Sequence, residues 1–108
     1  MKIVGVTACP SGVAHTYMAA ESLQVAAKDL GAECHVETQG QIGIENTLTA
    51  ETIQAADVVI LTNDIGIKNE DRFRGKPVLR VGSGDLIKKS AIIVKKLAAK
   101  FDTGGATA

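Results

Sequence analysis

Apolar and polar positions alternate along this chain in blocks, and the apolar blocks indicate four β-strands. Residues 2–8 and 57–63 each contain a nearly continuous apolar stretch, which is typical of central parallel strands that are covered on both faces. Residues 33–39 form a more polar run, which favours the edge of a sheet. Residues 77–81 predict a fourth strand, and Pro77 is tolerated at its first position because it need not donate a hydrogen bond there.

The segment after the first strand carries helical spacing. Ala19, Leu23, Ala26 and Leu30 recur at steps of four, three and four, which places them on one face of a helix that runs to about residue 30. Gly31 suits the left-handed conformation that ends many helices.

The middle of the chain predicts a loop, a short helix and a polar connection. Residues 40–48 predict the loop, and Thr49 is a predicted N-cap for a helix through residue 56. Residues 63–76 predict the polar connection, with one helical turn at residues 69–73.

The last part of the chain predicts a long helix and a tail. Residues 83–101 repeat apolar side chains at helical spacing, through Ile87, Ala91, Val94, Ala98 and Phe101. Residues 102–108 are glycine and other small or polar residues, which predict a flexible tail or the start of a linker. We therefore expect one domain at residues 1–101, followed by this tail.

Strands that alternate with helices imply right-handed crossovers and a parallel sheet. We expect an α/β fold, a three-layer doubly wound sandwich with a four-stranded parallel sheet in the order 2-1-3-4. The connections after the first and third strands then leave in opposite directions. The end of the first strand becomes the switch point, where open α/β sheets bind their ligands.

Composition and charge exclude some classes of function. The 108 residues contain 12 Lys and Arg and 12 Asp and Glu, and a formal net charge of zero argues against a nucleic-acid partner. No apolar run approaches the roughly 18 residues that a membrane helix needs. The two cysteines, Cys9 and Cys34, form neither a Cys-x-x-Cys motif nor a metal-ligand set. We predict no metal, no cofactor, no Cys9–Cys34 disulfide and a reducing, cytosolic compartment.

The stretch that follows the first strand carries the candidate chemistry. Cys9 ends the strand, a loop of small residues follows, and a helix begins. The first N–H groups of a helix lack intrahelical partners, and its dipole adds positive charge, so this geometry favours both an oxyanion and a thiolate. Cys9 is the candidate nucleophile that carries phosphate, and the candidate phosphate-binding residues are Pro10, Ser11, Gly12, Val13, Ala14, His15 and Thr16.

One departure from a known pattern favours carriage of phosphate over its hydrolysis. Thiol phosphatases place an arginine six residues after the cysteine, but here that position holds His15. The bidentate guanidinium clamp is therefore missing. An Asp-Pro acid loop is missing as well, because the two prolines follow Cys9 and Lys76. His15 either contacts the phosphate or thiolate, or simply begins the helix.

Two alternative functions remain open at this point. One is a thiol phosphatase or an arsenate-reductase-like enzyme, which His15 and the missing acid disfavour. The other is a regulatory domain that binds a partner and senses phosphate through Cys9 without catalysis.

Other polar residues have weaker signals. Cys34 lies in the middle of the second strand and is expected in the core, so His35 faces the other way. Residues 37–40 either support the site or form a plain strand end. Residues 64–76 end on the same side of the sheet and are a candidate contact for a partner, with Arg72 as its test position.

Four motifs together resemble one protein family over essentially the whole chain up to the tail. The chain is similar to the fructose-class enzyme IIB domains of the bacterial phosphoenolpyruvate-dependent sugar phosphotransferase system. The motifs are residues 8–21 (ACPSGVAHTYMAAE), Glu37-Thr38-Gln39-Gly40, Asn46-x-Leu48-Thr49 and Asp71-Arg72-Phe73-x-Gly75-Lys76-Pro77.

The resemblance implies a phosphohistidine–sugar phosphotransferase component. Cys9 would accept phosphate from a phosphohistidine of enzyme IIA and donate it to fructose, or a related sugar, held by the membrane enzyme IIC. The amides of residues 11–16 would hold the phosphoryl oxygens. The implied location is cytoplasmic, at the inner face of the bacterial cell membrane through enzyme IIC.

Overall fold

The computed structural model describes residues 2–8, 13–40, 43–64 and 66–99, with the side chains of residues 13–15 excepted. This part of the chain forms five strands, three α-helices and one turn of 3₁₀ helix at Glu70–Phe73. The strands and helices, in chain order, are β1 (Lys2–Thr7), α1 (Val13–Asp29), β2 (Glu33–Gly40), β3 (Gly43–Glu45), α2 (Ala50–Ala55), β4 (Val58–Thr62), β5 (Val78–Val81) and α3 (Ser83–Leu97).

The sheet is mixed and has the order β3-β2-β1-β4-β5. Its four parallel strands, β2, β1, β4 and β5, lie in the order that the sequence predicts. The prediction of a purely parallel, four-stranded sheet is wrong, because β3 pairs antiparallel with the end of β2. Gly43 begins β3 with φ +117°, a conformation that suits glycine. β3 therefore lies inside the segment that was expected to be a loop.

Helices cover both faces of the sheet, so the three-layer arrangement is confirmed. On one face, α1 and α3 pack over Ile3, Val36, Val58 and Ile60. On the other face, α2 and the 3₁₀ turn pack over a second apolar cluster that includes Val4, Val6, Val59, Leu61 and Phe73. β1 thus lies in the middle of two cores, and its carboxyl end is the switch point of the sheet.

Gly5 allows α1 to approach β1 closely. A Cβ atom at this position would lie 3.1 Å from Leu23 Cδ2 and 3.2 Å from the carbonyl oxygen of Ile60. A larger side chain at this position would require the Leu23 side chain or the backbone of β4 to move by a few tenths of an ångström.

The predicted face of α1 is confirmed at three of its four positions. Ala19, Leu23 and Ala26 are buried, but Leu30 is 44% exposed. Leu30 lies beyond the last residue of the helix, in the turn that Gly31 closes with φ +75°.

The predicted face of α3 is only partly correct: Val94 is fully buried and Ile87 packs against the core, but the other buried residues are Ser83, Leu86, Ser90 and Leu97. Ala91 is exposed and Ile87 is only half-buried. Two of the buried residues are serines, so a pattern of apolar residues alone selects the neighbouring face of the helix instead of the buried one. Lys89 also departs from helical geometry (φ −125°, ψ 19°), which shifts the phase of the helix. The helix ends at Leu97, and the predicted final residue, Phe101, lies outside the described residues.

Two local predictions from the middle of the chain are confirmed. The Thr49 hydroxyl accepts a hydrogen bond from the N–H of Thr52 and caps α2. The helical turn within the polar connection is the 3₁₀ turn at Glu70–Phe73, which the left-handed residue Asn69 precedes.

Candidate functional site

The end of β1 is fixed to β4 by one threonine side chain. Ala8, which directly precedes Cys9 in the chain, donates its N–H to Thr62 Oγ1 at 2.9 Å. The same hydroxyl donates to the carbonyl oxygen of Ala8 at 3.0 Å. Both residues are buried, so these bonds replace the contacts with water that the backbone of Ala8 would otherwise make.

A second threonine joins β1 to the beginning of α1. Thr7 Oγ1 donates to the carbonyl oxygen of Thr16 at 3.0 Å, and both residues are buried. The two ends of the segment that carries the candidate chemistry are therefore anchored, one on the sheet and one on the first turn of α1. Sequence reasoning missed Thr7 and Thr62, although each ends a buried strand on the side where ligands bind.

The candidate site residues fall into three groups. Cys9, Pro10, Ser11 and Gly12 lie outside the described residues. The backbone of Val13, Ala14 and His15 forms the start of α1, so the helix begins within the predicted phosphate-binding stretch, and the side chains of these residues are not among those described. Thr16 is described completely: it is fully buried, and Thr16 Oγ1 has no hydrogen-bond partner among the described residues.

The start of α1 is electrostatically suited to an anion. Its first turn contains no acidic residue, so no carboxylate of that turn competes for the free N–H groups. The unpaired Thr16 hydroxyl is a further potential donor in the same turn.

A buried carboxylate on β2 joins several elements on the face of the sheet that the 3₁₀ turn covers. Glu37 on β2 is fully buried and accepts two hydrogen bonds from Arg72, of 2.7 Å from Nη1 and 2.6 Å from Nη2. It also accepts from the N–H of Leu48 at 2.9 Å and from Gln39 Nε2 at 2.9 Å. One side chain thus joins β2, the segment before α2 and the 3₁₀ turn.

The environment of Glu37 keeps it ionised. Burial by itself would raise the pKa of this carboxyl group, but the hydrogen bonds from Arg72, Gln39 and Leu48 outweigh burial, and the pKa lies below its ordinary value. The supporting role considered for residues 37–40 therefore has a structural basis. Arg72, considered above as a contact for a partner, instead turns inward, and its side chain is 20% exposed.

Gln39 extends this network to the connection after β4. Its amide oxygen accepts from the N–H of Lys68 at 2.9 Å, and its amide nitrogen donates to the carbonyl oxygen of Lys68 at 3.1 Å. Thr38 pairs in register with Thr7, so Gln39 lies at the level of Ala8. The backbone of Lys68 is therefore held beside the end of β1.

Tyr17 attaches the first turns of α1 to β3. Its hydroxyl donates to the carboxylate of Glu45, and this hydrogen bond is the main cause of the raised pKa of Tyr17. Glu45 is the partner of Thr38 across the β2–β3 pair. The Tyr17–Glu45 hydrogen bond thus joins α1, which follows β1 in the chain, to β3 at the edge of the sheet.

The second cysteine is separate from this chemistry. Cys34 is a free thiol, partly buried against the α1 and α3 core, and burial raises its pKa to about 12. It borders a cavity of about 450 Å³ along β2, whose lining among the described residues does not include Thr16. A thiol with this pKa stays protonated and is a poor nucleophile at neutral pH. His35 is exposed, as predicted.

The described residues contain neither a metal-binding cluster nor a membrane-spanning helix. No group of three or more His, Cys, Asp or Glu side chains in this part of the chain lies close enough together to hold a metal ion. Within the same residues, no helix is both long enough and apolar enough to cross a bilayer.

Comparison with protein families and curated relatives gives consistent matches. Residues 4–96 match the family described as "PTS system, Lactose/Cellobiose specific IIB subunit". The PTS system fructose-like EIIB component 2 of Escherichia coli K12 is 61% identical over 98 residues, which are 91% of this chain and 92% of that protein. The PTS system fructose-specific EIIB'BC component of Xanthomonas campestris is 44% identical over 107 residues, which are 99% of this chain but 18% of that protein.

Solved structures agree with these sequence matches. A domain of the fructose-specific IIABC component of Borrelia burgdorferi has a TM-score of 0.83 and 53% identity, covering 88% of this chain and 90% of that one. The solution structure of the Enzyme IIB subunit of a PTS system from Escherichia coli K12 has a TM-score of 0.89 and 36% identity, covering 96% of both chains.

Proposed function

This chain belongs to the enzyme IIB components of the phosphotransferase system, of the fructose-like kind, and from this premise we propose that it is a phosphoryl carrier. Cys9 accepts phosphate from a phosphohistidine of enzyme IIA. It then donates the phosphate to fructose, or a related sugar, bound by the membrane component enzyme IIC.

The observation that supports this proposal best is the anchoring of the chain on both sides of Cys9. Ala8 is held to β4 by the Thr62 hydroxyl, and Thr16 is held to β1 by the Thr7 hydroxyl. A nucleophile whose neighbours are fixed at the switch point of the sheet, before a 17-residue helix, has the preorganised setting that phosphoryl transfer requires.

The proposed chemistry is two in-line phosphoryl transfers. In the first, the Cys9 thiolate attacks phosphorus, an S–P bond forms, the N–P bond of the donor histidine breaks, and that imidazole takes up a proton. In the second, a sugar hydroxyl attacks phosphorus and loses its proton, the S–P bond breaks, and the thiolate is regenerated.

The residues proposed to hold the phosphoryl group follow Cys9. The backbone N–H groups of residues 11–16 bind the phosphoryl oxygens, and the unpaired hydroxyl of Thr16 adds a donor. Pro10 fixes the turn, and Gly12 lets the backbone approach closely. The side chain of His15 is proposed either as a contact to the phosphate or as the start of the helix.

A function as a phosphoryl carrier explains the lack of an arginine at the position of His15 better than phosphate hydrolysis does. A thiol phosphatase needs a guanidinium fork at the position that His15 occupies. Arg72, which was considered above on this side of the sheet, is already paired with Glu37 at both terminal nitrogens. A thiol phosphatase therefore remains the second candidate only because Cys9 begins the same spacing of residues.

The names of the relatives support enzyme IIC as the second partner. Two of them, the EIIB'BC component of Xanthomonas campestris and a fructose-like EIIBC component of Escherichia coli K12, combine B and C components in one name. We propose that this domain acts at the inner face of the bacterial membrane through such a component.

One experiment separates the candidate functions. The domain is incubated with phosphoenolpyruvate, the general phosphotransferase components and enzyme IIA, and its intact mass is then measured. The proposal predicts a stable addition of one phosphate that is absent from Cys9→Ser. Release of inorganic phosphate without accumulation would instead indicate a phosphatase. Binding of enzyme IIA without any modification would indicate a regulatory domain.

A further inference from the structure

The network around Glu37 fixes one residue whose charge has no partner. Lys68 is held through both of its backbone hydrogen-bonding groups by the Gln39 amide, and Gln39 is itself held by Glu37. The Lys68 side chain is exposed and forms no hydrogen bond or ion pair in the described part of the chain. The backbone of Lys68 is thus held in place, while its ammonium group is exposed and able to reach a bound anion.

The position of Lys68 follows from the register of the sheet. Thr7 is paired with Thr38, so Gln39 lies level with Ala8. Glu37 and Arg72 meet on the face of the sheet that the 3₁₀ turn covers, and Gln39 shares that face because it follows Glu37 by two residues. Lys68 is therefore placed beside the end of β1 on the face opposite α1.

Several charged side chains in or next to this connection already have partners among the described residues. Arg72 is paired with Glu37, and Arg80 is paired with Glu70. Asp64 accepts the N–H of Ser83 at 2.9 Å, which occupies its carboxylate at the start of α3. Asp71 is exposed on the 3₁₀ turn. Arg74 is also exposed, but it follows the 3₁₀ turn, whereas Gln39 holds the backbone of Lys68 level with the end of β1. Lys68 is therefore the candidate cation for the switch point.

We propose that Lys68 provides the positive charge that faces the phosphoryl group during its transfer, from the side of the sheet opposite the helix start. This inference rests on the proposed function, because it assigns a partner for the phosphate carried by Cys9. Gln39 is then a positioning residue that acts through Lys68, and Glu37 and Arg72 hold Gln39 in place.

A lysine in this position suits a carrier. Its ammonium is a flexible point charge, whereas an arginine fork binds two phosphoryl oxygens in a fixed geometry. A single mobile cation reduces the repulsion between an incoming thiolate and the phosphoryl oxygens, yet it leaves the group free to move on to the next acceptor. A carrier must stabilise the phosphoryl group and also release it. A mobile lysine in place of an arginine clamp meets both needs.

The test is the single-turnover rate of phosphoryl transfer from phosphorylated enzyme IIA to the domain, measured over a range of donor concentrations. Lys68→Met is expected to lower the maximal rate about tenfold, which is less than the loss of a fully buried oxyanion donor because Lys68 is exposed. The donor concentration at half-saturation should not change. Lys68→Arg should restore most of the rate. Lys95→Met, an exposed lysine in the last turn of α3, is the matched control and should transfer at the wild-type rate.

A double-mutant cycle tests the role of Gln39. Gln39→Met should also lower the maximal rate, because it releases the backbone of Lys68. The double variant Gln39→Met/Lys68→Met should be no slower than Lys68→Met alone, since both changes remove the same interaction. Thermal melting of each variant shows whether it is folded under the assay conditions.

The failure of this inference can be told apart from the failure of the proposed function. If the wild-type domain never forms phosphocysteine, the proposed function is wrong. If the wild type is phosphorylated and folded Lys68→Met transfers at the same maximal rate, the assignment of Lys68 is wrong and the proposed function stands. A change confined to the half-saturating donor concentration would also overturn the assignment, because it would make Lys68 a docking contact.

Discussion

Breaking the Glu37–Arg72 pair should destabilise the protein far more than breaking a similar pair on the surface. Arg72→Met leaves the fully buried carboxylate of Glu37 without its cation. Removing one partner of a buried ion pair costs about 3–5 kcal/mol. We expect about 3 kcal/mol, at the lower end of that range, because the Arg72 side chain is 20% exposed and Glu37 keeps its hydrogen bonds from Leu48 and Gln39.

The assay is urea denaturation at equilibrium, with the free energy of unfolding obtained by linear extrapolation. Arg80→Met is the matched control, because Arg80 contacts Glu70 with the same two-bond geometry, at 2.7 and 2.9 Å, on exposed side chains. Its effect should be close to the error of the measurement. The double variant Glu37→Gln/Arg72→Met, which removes the buried charge, should be more stable than Arg72→Met at pH 7.

The effect of Arg72→Met should also depend on pH. In the wild type, the pKa of Glu37 in the folded state lies below its unfolded value of about 4.3, so its stabilising contribution is present above that pH and is lost as pH falls through the folded pKa. In the variant, burial is no longer offset by Arg72 and raises the folded pKa, so the folded state gains a proton as pH falls. The difference in stability should therefore be largest near pH 7 and shrink toward pH 4. An effect of Arg72→Met that is no larger than that of Arg80→Met, or that does not change with pH, would refute this reasoning.

Three further predictions follow from particular contacts. Thr62→Val removes the hydroxyl that bonds both backbone groups of Ala8, so the free energy of unfolding in urea should fall by about 1–3 kcal/mol and amide hydrogen exchange at Ala8 should become faster. Unchanged exchange at Ala8 would contradict the anchoring role of Thr62. Gly5→Ala should lower the free energy of unfolding by about 1–3 kcal/mol, because the new Cβ would lie 3.1 Å from Leu23 Cδ2 and 3.2 Å from the carbonyl oxygen of Ile60. Gly66→Ala, whose Cβ would meet nothing within 4 Å, should be nearly neutral, and equal effects of the two changes would argue against the close approach of α1. In a Cys9→Ser background, iodoacetamide at pH 8 should leave Cys34 unmodified in the folded protein and alkylate it in urea, because burial raises the pKa of this thiol to about 12. Rapid labelling of the folded protein would contradict this prediction, because it would show that the thiol is accessible and ionised.

The sequence was sufficient for the parallel core of the fold. The apolar stretches of β1 and β4 are long and continuous, so their central position and the strand order follow from burial and crossover rules. β3 could not be predicted in the same way, because three residues are too few for a period-two pattern to be visible. The face of α3 was misjudged because Ser83 and Ser90 are buried there, and their burial depends on packing against other elements.

The candidate site was predictable where its residues are contiguous. A cysteine, a small-residue loop and a helix start lie next to one another in the chain, so local rules suffice to identify them. Glu37 and Arg72 are 35 residues apart, and no local pattern indicates that the arginine turns inward to meet the carboxylate. The only available signal was Glu37 itself, a charged residue in the middle of a strand, which is rarely buried unless it is paired.

The chemical identity of the phosphorylated atom tests the central claim most directly. The domain is phosphorylated by enzyme IIA and examined by ³¹P nuclear magnetic resonance, which distinguishes phosphate bonded to sulfur from phosphate bonded to nitrogen or oxygen. The account predicts one resonance of an S-linked phosphate that is absent from Cys9→Ser. A resonance of N-linked phosphate, which would place the group on a histidine such as His15, would contradict it.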